Sequence, residues 1–234
     1  MAIKGSLDIR GFKRVSVPNA YYRQKAETDA LCLIFGGWHY STEMPVFYYT
    51  RRVLSGLGFD VLTIDSSHSS DRRYARLSDR KRQEWFLSEV DAAFEAARHR
   101  RRYRRIVVAA KSIGTMALAH LLLSGKLTGH VYLIWLSPLL EAESIRENLQ
   151  TCATPSLVVI GKRDPQYDEA LVKGLSKNGK LDLMLIERAN EDIEVEGDAL
   201  RSIELLAGYV GRLKSFLGAS SDSPTRKRRE APSK

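Results

Sequence analysis

Six short apolar runs recur along this chain with almost no polar residue to relieve them: Ala30–Phe35, Asp60–Ile64, Ile106–Ala110, Val131–Leu136, Ser156–Ile160 and Leu181–Ile186. A strand with one face in water alternates apolar and polar residues, so runs without that alternation belong to strands covered on both faces. Between them lie amphipathic stretches with helical spacing: Pro45–Leu57, Asp79–His99, Ile113–Leu123, Glu141–Leu149, Asp168–Leu175 and Asp198–Leu217. Asp79 is the expected N-cap of its helix. Strand and helix in turn predict an α/β fold, a mostly parallel doubly wound sheet with right-handed crossovers. Leu7–Tyr22 alternates more loosely and suits a hairpin or edge strands.

A chain of 234 residues, 44% hydrophobic and 28% charged, can bury a sizeable core as one domain. We expect that domain over residues 1–218 and a disordered basic tail over 219–234, where Ser, Pro and Arg dominate. No apolar run approaches the ~18 residues of a membrane span, and the N-terminus has no apolar h-region. Cys32 and Cys152 sit in or beside apolar segments and lack metal-ligand spacing, so they read as buried free thiols. The expectation is a cytoplasmic protein, with no membrane, metal or cofactor. No dinucleotide fingerprint or phosphate-binding loop occurs.

Net charge is +9. The tail holds five basic and two acidic residues, a net +3 that leaves +6 for the body. A second cluster, Arg98, Arg100, Arg101, Arg102, Arg104 and Arg105, separates a helical pattern from a strand. It reads as the solvated end of a helix, where cations complement the macrodipole. No aromatic-interleaved basic motif accompanies it, so a small-molecule ligand is expected rather than nucleic acid.

In a doubly wound sheet the site lies beyond the carboxyl ends of the strands. After Ile106–Ala110 the chain reads Lys111-Ser112-Ile113-Gly114-Thr115 and enters a helix. A strand, a sharp turn with serine at its apex and a helix form a nucleophile elbow, here with Ala110 and Gly114 as the small residues that let the turn close. Ala30–Phe35 runs into Gly36-Gly37-Trp38-His39-Tyr40. Glycines there let backbone amides approach a reacting oxygen, and the amides of Trp38 and Ile113 are the candidate oxyanion donors. Ser156–Ile160 runs into Gly161-Lys162-Arg163-Asp164-Pro165, which places Asp164 where an acid could orient a base. A capping serine, a glycine-rich turn and a capping aspartate account for each feature singly; three successive strand ends together are more specific.

On these residues, with Pro45, Tyr48-Tyr49 and Ile186-Glu187-Arg188-Ala189-Asn190 leading to Gly197-Asp198, the chain resembles the α/β-hydrolase superfamily over roughly residues 30–212. More narrowly, it is similar to a small bacterial family of α/β hydrolases with a Lys-Ser-Ile-Gly-Thr elbow. The resemblance implies a serine hydrolase with Ser112 as nucleophile and Asp164 as triad acid. It also implies a histidine where relatives read Ala-Asn-His-Ser-Leu-Glu; this chain reads Ala189-Asn190-Glu191-Asp192-Ile193-Glu194 and has no histidine after His130.

Glutamate, with an unperturbed pKa of about 4.3, is a weak base near neutrality unless burial or a neighbouring carboxylate strengthens it. Asp164 and Asp192 are the neighbours that could do so. His39, after the Gly-Gly turn, and His68, in the polar stretch after Asp60–Ile64, are candidate substitute bases. A Ser112–Lys111 dyad is rejected, because adjacent side chains at an elbow point apart. The segment after Val131–Leu136 is too short for a large cap, so an open pocket lined by Gly37, Trp38, Tyr40, Leu139 and Leu140 is expected. Two readings follow: a hydrolase of small esters, thioesters or amides acting through an acyl-enzyme on Ser112 with an incomplete triad, or a catalytically inactive binding protein on the same scaffold.

Overall fold

The computed structural model describes residues 2–37, 39–65 and 71–218. Trp38, His68 and the tail over 219–234 lie outside the described residues, and so do the expectations placed on them.

All six apolar runs are strands. In chain order the elements are β1 (Ile3–Gly5), β2 (Asn19–Arg23), β3 (Ala30–Phe35), α1 (Pro45–Gly56), β4 (Asp60–Ile64), α2 (Arg72–Ala75), α3 (Asp79–Arg98), β5 (Arg105–Ser112), α4 (Thr115–Leu123), β6 (His130–Pro138), α5 (Glu143–Thr151), β7 (Ser156–Gly161), α6 (Glu169–Leu175), β8 (Leu181–Ile186) and α7 (Ala199–Gly218). They form one eight-stranded sheet in the order β1-β2-β4-β3-β5-β6-β7-β8. β3 to β8 are mutually parallel, while β1 and β2 add an antiparallel edge.

Every residue of β3, β4 and β7 is buried. The period of two along a strand splits β3 between two cores. Leu31, Leu33 and Phe35 face the core under α3, α4, α5 and α6; Ala30, Cys32 and Ile34 face the one under α1 and α7. Both cysteines are buried free thiols. Burial pushes the Cys32 thiol well above its ordinary pKa.

Strand order reverses at β3. β4 pairs with one edge of β3 and the chain then crosses to place β5 on the other, with Phe35 opposite Ala110. The carboxyl ends of β3 and β5 therefore flank the topological switch point, where the outgoing turns leave a crevice.

Two expected helix starts are corrected. The N-cap of α3 is Ser78, with Asp79 inside the first turn. α4 begins at Thr115 rather than Ile113, because β5 continues through Ser112 and the intervening residues make the turn.

Candidate active site

Ser112 has φ 51°, in the left-handed region that side chains with a Cβ avoid. The β5–β6 register shifts between Lys111 and Ser112, so the strand is already leaving the ladder there. The turn is closed by Gly114 N–H donating to Lys111 O at 2.8 Å and Thr115 Oγ1 donating to Ser112 O at 2.5 Å. Glycine is required at 114: a Cβ would lie 2.5 Å from Gly36 O and 2.7 Å from Phe35 O. Among the described residues, Ile113 N–H has no acceptor and Ser112 Oγ makes no hydrogen bond.

The Gly36-Gly37 turn at the end of β3 lies against this elbow. A Cβ on Gly37 would sit 3.2 Å from Lys111 O and 3.5 Å from Ser112 Cβ. Gly37 and Tyr40 bridge one another, with Gly37 N–H donating to Tyr40 O at 3.0 Å, which holds the turn tight. His39 is exposed on that loop with φ 57°.

Asp164 is only 4% exposed. Its Oδ1 accepts from Gln166 N–H at 2.8 Å, while the buried Oδ2 has no partner among the described residues. The loop bearing Glu191 is tied to the same end of β7. Arg163 N–H donates to Ala189 O at 2.9 Å, and a Cβ on Gly161 would collide with the Ala189 carbonyl. Asn190 Oδ1 accepts from the amides of Asp192 and Glu194, and Ser137 Oγ donates to Glu191 O at 2.7 Å. The backbone at 191 is thus fixed, but the Glu191 side chain is exposed and makes no hydrogen bond or ion pair among the described residues.

Lys111 is almost fully buried. Its Nζ lies 2.9 Å from Asp192 Oδ1 and 4.5 Å from the centre of the Tyr40 ring. The ammonium is committed to Asp192. Tyr40 is 4% exposed and accepts from Val46 N–H through its hydroxyl at 3.3 Å. Burial raises its phenol pKa; the Val46 bond opposes this, and Asp192 and Glu194 add to it.

Of the expected lining residues, Tyr40 and Leu140 are buried, each in one of the two cores. Leu139 is half-buried, its amide bonded to Thr115 Oγ1. Among the described residues, two clefts lie near these loops. One of about 530 Å³ is lined by Tyr74, Gln83, Phe86, Ile113 and Met116, with Arg80 and Arg82 at its rim. The other, about 840 Å³, lies between the start of α1, the 190–198 loop and the first turns of α7. The first reaches the residue next to Ser112. The apolar spacing of α3 could have signalled it, but the contribution of α2 is a tertiary fact.

No protein-family model matches the chain, and neither does any curated protein sequence. Solved structures do match. A protein of unknown function from Agrobacterium tumefaciens, described as an α/β hydrolase, superposes with TM-score 0.68 at 19% identity, covering 94% of this chain and 97% of that one. An esterase of Pyrococcus furiosus gives 0.66 at 14% identity, with 94% and 91% covered. An α/β serine hydrolase without a lid, from Xanthomonas campestris, gives 0.64 at 16% identity, with 94% of each chain covered. The chain has the α/β-hydrolase fold. At such identities the likeness concerns the fold and leaves function to the site itself. Among the described residues, no helix is long and apolar enough to cross a membrane, and no group of three or more His, Cys, Asp or Glu could hold a metal.

Proposed function

We propose that this chain is a slow serine hydrolase of small esters, thioesters or amides, forming an acyl-enzyme on Ser112. The observation that carries this is the backbone of Ser112: a left-handed serine at a strand-to-helix turn, packed between Gly114 and Gly37. Strain of that kind, which costs of order 1–3 kcal/mol, persists where the surroundings over-determine it and clusters at reactive positions. The free Ile113 amide and the amide of Trp38 are the oxyanion donors we assign. The cleft beside Ile113 takes the apolar part of the substrate. The reaction needs neither metal nor cofactor, and the buried free thiols suit a reducing cytoplasm.

Turnover is slow because the triad is incomplete. Asp164 Oδ2 is buried without a donor, in the role where a histidine N–H would be held. Loss of a triad base costs several orders of magnitude, with oxyanion binding retaining part of the rate. His39 is the base we assign, on its place in the oxyanion loop. A second reading is favoured by one specific observation: no base contacts Ser112 Oγ among the described residues. Under it the chain binds a small ligand in the same clefts without turnover.

Labelling with a fluorophosphonate probe separates the two. The expected result is slow labelling of wild type between about pH 6 and 9, lost in Ser112→Ala and reduced in His39→Ala. Absence of labelling in correctly folded wild type would leave the binding protein.

A further inference from the structure

The sheet ends in two edge strands, and they are built differently. β1 is three residues long, carries Lys4 and is exposed throughout. A short, charged strand blunts an edge against pairing with another chain. β8 is twice as long and reads Leu181-Asp182-Leu183-Met184-Leu185-Ile186, with no lysine, no proline and one charged residue. Its register with β7 runs unbroken from Ser156 opposite Leu181 to Gly161 opposite Ile186, so no bulge turns it aside. Leu185 on this edge is 40% exposed.

The backbone of β8 has a free side. Ser156 N–H donates to Lys180 O at 3.0 Å, and Lys162 N–H donates to Ile186 O at 2.9 Å. The even-numbered residues of β8 thus turn their backbone groups toward β7, and by alternation Leu181, Leu183 and Leu185 turn theirs outward. Leu181 N–H is taken by Asn178 O at 3.0 Å. Among the described residues no strand lies beyond β8 to meet the N–H and C=O of Leu183 and Leu185. A groove of about 480 Å³ runs beside this edge, between β8 and the Gly208, Gly211 and Ser215 side of α7. The Met184 methyl lies 3.9 Å from where a Gly208 Cβ would be, and nothing lies within 4 Å of a Gly211 Cβ, so the helix surface there is low and open.

We infer that β8 pairs with β8 of a second copy of this chain, antiparallel about a twofold axis, and joins the two eight-stranded sheets into one. Outward residues must face outward residues, which restricts the register. Centring the axis on Asp182 sets two carboxylates directly opposite, which is destabilising. Centring it on Met184 carries Leu181 past the end of the partner strand. Centring it on Leu183 pairs the whole of β8, with Leu181 opposite the partner's Leu185 and Leu183 opposite the partner's Leu183. Asp182 then faces the partner's Met184, and its charge is met by its own Arg212, whose Nε lies 3.0 Å from Oδ1. In this register no like charges meet, no unpaired charge is covered, and the leucines of both copies form one apolar row. This complementarity of the edge to itself selects a second copy over a foreign strand.

A stable interface buries roughly 1,200–2,000 Å² in total. A six-residue edge is roughly 20 Å long and a sheet roughly 10 Å deep, so paired strands alone cover on the order of 400 Å². The groove supplies surface for the rest. The twofold axis sets both α7 helices on one face of the joined sheet, and the glycine side of each admits the side chains of the other copy. Antiparallel pairing points the two Ser112 turns in opposite directions. The inference uses none of the residues around Ser112 and stands apart from the hydrolase reading.

The test is sedimentation velocity of the full chain between about 1 and 100 μM, since self-association follows protomer concentration. Wild type is expected to reach twice the chain mass within that range. Leu185→Lys charges the apolar row at an exposed residue and is expected to raise the dimer Kd at least about tenfold. Leu183→Pro removes an outward donor and none of the ladder to β7, and is expected to act likewise. Ile3→Lys, on the opposite edge, is expected to match wild type. Cysteines read the register, because both native thiols are buried. Leu183→Cys sits about 5.5 Å from its mate between Cα atoms and is expected to cross-link two chains on mild oxidation. Leu185→Cys, on the order of 14 Å from its mate, is expected not to. Far-UV circular dichroism and thermal midpoints establish that each variant is folded. A wild type that stays monomeric at about 100 μM overturns the inference, as does a dimer that both Leu185→Lys and Leu183→Pro leave intact. So does a dimer that Ile3→Lys dissolves, or one that cross-links through Leu185→Cys and not through Leu183→Cys.

Discussion

At Ser112 backbone strain and proposed chemistry occupy one residue, so stability and activity should separate there. Glycine adopts φ 51° without penalty, and Ser112→Gly is expected to stabilise the fold by about 1 kcal/mol while abolishing fluorophosphonate labelling. Urea unfolding of the two proteins reads the first effect; a less stable glycine variant would show that the turn is unstrained. Gly114→Ala should act in the opposite sense. A Cβ there meets backbone oxygens, which cannot swing aside, and a loss of about 2–4 kcal/mol is expected. The third residue-scale test restores what the triad lacks. The 191 backbone is held by Ser137 and by the Asn190 turn, and Asp164 Oδ2 has a free buried lone pair. Glu191→His is expected to raise p-nitrophenyl acetate hydrolysis by about 10²-fold or more, a typical contribution of a positioned base. An unchanged rate would sink the proposed roles of Ser112 and Asp164 together. Ser112 and Asp164 could be singled out from sequence because each sits in a turn after an unrelieved apolar run, and Glu191 because the resemblance implies a histidine at its position. The Lys111–Asp192 pair could not, since nothing local tells a buried lysine which carboxylate, 81 positions away, will meet it.

Elements are joined by a few buried polar contacts that periodicity cannot reveal. α1 and α7 cover one face of the sheet, and Thr50 and Tyr209 link them hydroxyl to hydroxyl at 2.6 Å, both fully buried. Tyr209→Phe removes one partner and strands the other less than a full deletion would, because Thr50 Oγ1 also donates to Val46 O at 2.7 Å. A loss of about 1 kcal/mol is expected by chemical denaturation. On the other face Asp91 of α3 accepts from Lys126 Nζ at 2.7 Å and meets His120 Nε2 of α4 at 3.0 Å. Burial raises the Asp91 carboxyl pKa, but Lys126 and His120 outweigh it and leave the group below its ordinary value. A carboxyl depressed on folding contributes stability above its unfolded pKa, about 3.9, and loses it as pH falls through the folded value. Asp91→Asn should therefore weaken the protein at neutral pH and flatten the acid limb of its stability curve. Urea midpoints taken between about pH 2 and 7 would show an unaltered limb if the α3–α4 contact were energetically silent. Element identity was legible because unrelieved apolar runs and amphipathic stretches differ in period. Their ends were less so: β6 continues to Pro138 and β5 through Ser112, where pairing with neighbours extends the strand past its apolar residues.

Across the whole molecule, a +9 chain crowds acidic side chains into one cleft and leaves several arginines exposed elsewhere. Asp192, Glu194, Glu196 and Asp198 line the larger cleft at the site end. Arg100, Arg102 and Arg104 stand unpaired at the other end, so their mutual repulsion is a standing cost to the folded state. Arginines kept for stability would lower the thermal midpoint when neutralised; arginines kept for a partner would not. The Gln variants of these three are expected to melt at the wild-type temperature or a degree or two higher at about 20 mM salt, with the difference vanishing as salt screens it. Arg101→Gln is expected to melt several degrees lower, because it leaves buried Asp60 without its cation. The sequence displays all six arginines of the cluster alike, and only the path of the chain round the amino ends of the strands separates them. If neutralising Arg100, Arg102 and Arg104 cost as much stability as neutralising Arg101, these three arginines would be part of the fold's own electrostatics, as Arg101 is through Asp60.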